Sequence, residues 1–145
     1  MPQVPYRGSD RVLINVTANA DLSAYQYRGV QLFASSTIGL APSGTNGTIG
    51  QVGVLEQIPI SQSGAICQVC VFGPTTAIAG AAITAGAEFI FGANNTAPGY
   101  VYPADSAAAW GKTGTVYVSG WAIDGATAAS QLITVFVNPH INRLV

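Results

Sequence analysis

The chain has 145 residues, a formal net charge of −1 and only 8% charged residues against 49% hydrophobic ones. A chain this long fits one domain that buries about two-thirds of its unfolded surface, so folding requires neither metal nor disulfide. Ordinary soluble domains carry about 25% charged residues; a near-neutral surface so poor in charge favours association, offers nucleic acid no clustered bases, and lacks the ~20-residue apolar run of a membrane helix.

Residues 1–10 are rich in Pro and polar side chains and lack the apolar core of a secretory signal. They read as an extended arm on a chain made and kept in the cytoplasm, or processed before this form. Arg11 to Thr17 has the β-branched content of a first strand, and residues 1–24 form the arm and that strand. The body, residues 25–145, begins with Tyr25 to Phe33, where apolar and polar residues alternate with the period of a half-buried strand and Gly29 marks a candidate bulge. Ala34 to Gly47 holds Ser35-Ser36-Thr37, Pro42-Ser43-Gly44 and Asn46-Gly47, and so reads as an exposed loop.

Further strands are expected at Thr48 to Ile58, Ala65 to Phe72, Ala87 to Phe91, Tyr100 to Tyr102, Thr115 to Ile123 and Gln131 to Val137, with a short polar tail after the last. Ala104 to Trp110 has the alanine run of a short helix capped by Asp105 or Ser106. About eight short strands with frequent turns predict an all-β fold, a single compact barrel or sandwich. A faint duplication runs through it. Gly47 to Val54 resembles Gly114 to Trp121, each leads to a β-rich strand ending near Pro (Ile66 to Pro74, Leu132 to Pro139), and two related hairpins would face each other in one barrel.

Cys67-Gln68-Val69-Cys70 has zinc-knuckle or redox spacing. A structural zinc needs four ligands, yet these are the only cysteines and His140 the only histidine. In a strand, positions i and i+3 face opposite sides about 10 Å apart, beyond the ~7 Å limit between disulfide Cα atoms. The pair therefore reads as two free, packed thiols. His140, in the tail, is a poorly held general base, and Asp10, Asp21, Glu56, Glu88, Asp105 and Asp124 form no catalytic pair or calcium loop. We expect no enzyme, cofactor, metal or small-molecule substrate.

Alternation places Tyr117, Ser119 and Trp121 on one strand face, the first choice for a partner surface. Tyr6, Arg7 and Arg11, on and beside the arm, complete the expected partner or inter-subunit contacts.

The Gly53-Val54 strand, the turn Ala79 to Ala87, Gly114-Thr115-Val116 and the last strand Ile133 to Val137 resemble the capsid cement, or head decoration, proteins of tailed bacteriophages. The resemblance runs roughly from Tyr25 to Asn138. It implies a compact β fold on the capsid surface of a virion, a homotrimer bound to the major capsid protein, and bracing of neighbouring capsomers without catalysis. The arm and the loop from Ala34 to Gly47 depart from that pattern. The alternative is a carbohydrate-binding or host-attachment module, a head fibre or tail-associated domain, with Trp110, Tyr100 and Tyr102 as a stacking surface.

Overall fold

A computed structural model describes residues 11–33, 37–40, 51–57, 63–92, 99–104 and 114–144. The expected arm and its Tyr6 and Arg7, the candidate helix and Trp110 lie outside these residues. The described residues hold nine strands and no helix: β1 (Val12–Ala18), β2 (Gly29–Phe33), β3 (Thr37–Leu40), β4 (Gln51–Gln57), β5 (Ile66–Ile78), β6 (Glu88–Phe91), β7 (Val101–Pro103), β8 (Gly114–Ala122) and β9 (Leu132–Leu144).

The all-β barrel-like fold is as expected, and its pairing resolves into two closed rings. In the first, β1, β5, β4, β2 and β3 follow one another and β3 returns to β1 in parallel. In the second, the far half of β5 is followed by β9, β8, β6 and β7, and a parallel bridge from Val101 to Ala79 closes the circuit. Closing a sheet removes the open edges that invite aggregation.

The rings repeat in chain order. Val54 faces Cys70 across β4 and β5, and Trp121 faces Phe136 across β8 and β9 at the equivalent places of the duplicated segments. At Gly53 an added Cβ would lie 1.9 Å from the Cys70 carbonyl oxygen, and at Gly120 1.9 Å from that of Phe136. Both hairpins thus bring a glycine onto the neighbouring backbone. Each hairpin belongs to its own ring, rather than facing its relative inside a single one.

Cys67, Val69, Leu55, Val30 and Ile38 fill the first ring. Ile133, Val135, Ala122, Phe89 and Val101 fill the second, and their cluster continues into Val54 and Cys70 of the first ring. Cys67 and Cys70 are therefore free, buried thiols in different clusters. Burial, then the Glu56 carboxylate, pushes the Cys70 thiol up to about 11, against the opposing pull of a backbone hydrogen bond at Phe72 and of Arg11.

Several boundaries differ from the sequence reading. Tyr25 to Arg28 is a turn, with Tyr27 at φ +64° and the Arg28 N–H donating to the Tyr25 carbonyl. Thr37–Leu40, read as loop, is a strand because Ile38 is fully buried opposite Leu32. β5 passes Gly73 and Pro74 instead of ending at Phe72; Gly73, at φ +100°, admits the bend that carries it into the second ring. β9 likewise continues through the expected tail, because a bulge sets Asn138 and Pro139 opposite Ser119 and absorbs the proline.

Candidate interaction surface

The half-buried outer face of the second ring brings Trp121, Phe136 and His140 together beside Phe72. Trp121 on β8 stands directly between Phe136 on β9 and Glu88 on β6. Phe136 meets Phe72 edge to face, with centroids 5.3 Å apart and planes at 82°, the geometry ring quadrupoles favour. Trp121 stacks on His140 at 4.8 Å and 21°. Phe72, Val12, Ile123 and Leu132 are exposed on or beside this face.

His140 is anchored at both nitrogens. Nδ1 lies 2.7 Å from the Asn138 carbonyl oxygen and Nε2 3.0 Å from Glu88 Oε1. The carbonyl only accepts, so Nδ1 carries a proton; a second proton on Nε2 gives the imidazolium, which donates to both partners. Burial lowers its pKa, but the Asn138 carbonyl and the Glu88 carboxylate outweigh it and leave the His140 pKa raised. His140 is thus a fixed strand residue clasping β9 to β6 across β8, and not part of a loose tail.

Arg11 pairs with Glu56 where the rings meet, a contact opened by a bulge that sets Glu56 out of the β4–β5 register. The Thr75 hydroxyl donates to the same carboxylate, and the Gln26 amide to the Glu56 carbonyl at 2.8 Å. Arg11, Glu56 and Thr75 line a cleft of about 250 Å³ together with Tyr27 and Thr76. A second cleft, about 350 Å³, is lined by Ile83, Thr84, Glu88 and Pro103 among others. Among the described residues no three His, Cys, Asp or Glu side chains are grouped to hold a metal ion.

Of the five residues expected to make contacts, the structure places Trp121 on the aromatic face and Arg11 in the junction ion pair. Tyr117 pairs with Ile141 in the β8–β9 ladder, its side chain outside the described ones, as are Tyr6 and Arg7 altogether. Sequence reasoning missed Phe72 and Phe136; it read Glu88 as a solvent-facing or interfacial strand acid and His140 as a tail residue in contact with solvent or a partner. Phe136 was legible, since alternation in Ile133 to Val137 sets it opposite the buried Val135. The stacking surface proposed for Tyr100 and Tyr102 is not open: Tyr102 is buried, and the Arg28 guanidinium covers Tyr100 at 4.5 Å from its ring centroid.

No protein-family model matches the chain, and no curated protein does. Among solved structures it is similar to the N base of head fiber gp8.5 in bacteriophage phi29, with a TM-score of 0.51 and 20% identity over 88% of this chain and 93% of that one. The likeness is one of fold.

Proposed function

We propose that this chain is a non-catalytic structural module of a bacteriophage virion, attached to the outside of the head as a fibre base or as a cement that braces neighbouring capsomers. Its partners are the major capsid protein and other copies of itself, assembled as a homotrimer. The observation that carries this reading is the likeness in fold to the head fiber base, which extends over most of both chains. Composition supports it independently. A chain with only 8% charged residues associates through backbone and apolar contacts that salt screens little, and many modest contacts on one lattice become durable because each attachment raises the effective concentration of the next.

The sugar-binding alternative is weaker, because Tyr102, one of its three stacking rings, is in the core. The test is to mix the purified protein with capsids that lack it, sediment the shells, and measure their resistance to heat. Co-sedimentation supports attachment to the head, and a higher disruption temperature distinguishes cementing from simple display. Protein that stays in the supernatant overturns the reading, and retention on glycans instead moves it to host attachment. Deleting residues 1–10 is expected to weaken attachment and leave the rings folded.

A further inference from the structure

Within the chain, the outer face of the first ring caps the second. The row Leu13, Cys70, Val54 and Gly29 crosses β1, β5, β4 and β2. Phe91, at the end of β6, seats against it so closely that a Cβ on Gly29 would lie 2.3 Å from the Phe91 ring. Phe91, Val54 and Cys70 are fully buried there.

The repeat places the same two elements a second time. The row equivalent to Leu13, Cys70, Val54 and Gly29 is Pro74, Phe136, Trp121 and Glu88, crossing β5, β9, β8 and β6 in the same register. Gly29 opposes Val54 and Glu88 opposes Trp121, so the residue of β2 equivalent to Phe91 is Leu32. Leu32 is 56% exposed, and Phe72, beside the second row, 43%. The chain thus carries one such contact made, and a second in which Leu32 is exposed and Phe136, Trp121 and Glu88 are only half-buried. The sizes are exchanged between them. A large plug, Phe91, meets a row with a glycine and a cysteine, whereas the smaller Leu32 is matched by a row with Trp and Phe.

We propose that a second copy of this chain places its first ring, led by Leu32, on the Phe136–Trp121 row of the second ring, repeating between chains the contact already made within one. The inference rests on the self-association in the reading above and names its surface. Because two different patches meet, the contact is head to tail, and it closes into a ring where the rotation per copy allows. Its apolar centre and the exchange of side-chain sizes favour another copy over a polar or charged partner.

The experiment measures the mass of the full chain by sedimentation equilibrium, alongside Leu32→Glu and Phe72→Glu. Both replaced residues are exposed, and circular dichroism checks that the rings stay folded. The wild type is expected at a multiple of 14.8 kDa. Each variant is expected to associate about tenfold more weakly or worse, because a carboxylate is then buried without a partner. An equimolar mixture of the two is expected to form a dimer, since each copy supplies the half that the other has lost. A monomeric wild type, variants of unchanged mass, or a mixture that stays monomeric overturns the proposal. Loss of shell binding by Phe72→Glu with no change of mass does so as well, by assigning the face to the capsid protein. Association without shell binding would instead refute the proposed attachment to the head and leave this interface standing.

Discussion

Phe91 and Leu32 occupy equivalent places in the two rings, so replacing each by Ala tests the repeat and the inter-ring contact together. Phe91 is fully buried in a cluster shared by both rings, and its ring lies over Gly29. Truncation leaves a cavity on a backbone surface that cannot collapse to fill it, because β2 is held there by the Gly29 N–H bond to the Gly99 carbonyl, 2.7 Å long. Phe→Ala at such sites costs about 3–5 kcal/mol, a large share of the roughly 5–15 kcal/mol that holds a domain folded. Leu32→Ala removes a side chain that is 56% exposed and should cost no more than about 0.5 kcal/mol. The assay is urea unfolding followed by Trp fluorescence and circular dichroism, at dilutions where the chain is monomeric. Equal costs for the two variants, or a Phe91→Ala cost below about 1 kcal/mol, would refute the account of Phe91 as the plug between rings.

Gly53→Ala and Gly120→Ala should each destabilise by about 1–3 kcal/mol, since each new Cβ would sit 1.9 Å from a carbonyl of the next strand; Gly120, at φ +153°, adds backbone strain. Matching losses in thermal melts would support the duplication, and a neutral Gly53→Ala would break it. His140 has a raised folded-state pKa, so its contribution is fully present below its unfolded value near 6.5 and fades as pH rises through the folded one. The Tm advantage of wild type over His140→Gln should therefore shrink above about pH 6.5, with Trp121 fluorescence changing over the same range. A difference that stays constant, or grows with pH, contradicts the clasp.

The class of fold was legible because alternation and turn formers are local signals, and eight of the nine strands overlap segments read as strands from the sequence. β3 was hidden because Thr37–Leu40 is four residues among turn formers and becomes a strand only through the burial of Ile38. Gly73-Pro74 and Asn138-Pro139 were read as strand ends, yet a bend at one and a bulge at the other carry β5 and β9 onward. The candidate surface was half visible. Trp121 followed from alternation, but Glu88 and His140 are 52 positions apart, and only the ladder of β6, β8 and β9 brings them to one indole. Glu56 was legible as a strand acid, while its partner Arg11 depended on a bulge that no periodicity announces.

The continuity of β5 bears on how the molecule carries load. Its 13 residues run without a linker from one ring into the other, flanked by β1 and β4 in its first half and by β9 in its second. Tension along β5 loads those antiparallel ladders in shear, with many hydrogen bonds sharing the force at once, instead of opening them one rung at a time. Bending at the waist would strain the same strand, which the Arg11–Glu56 pair also braces. The two rings therefore move as a stiff strut, suited to holding its shape under tugging and collision.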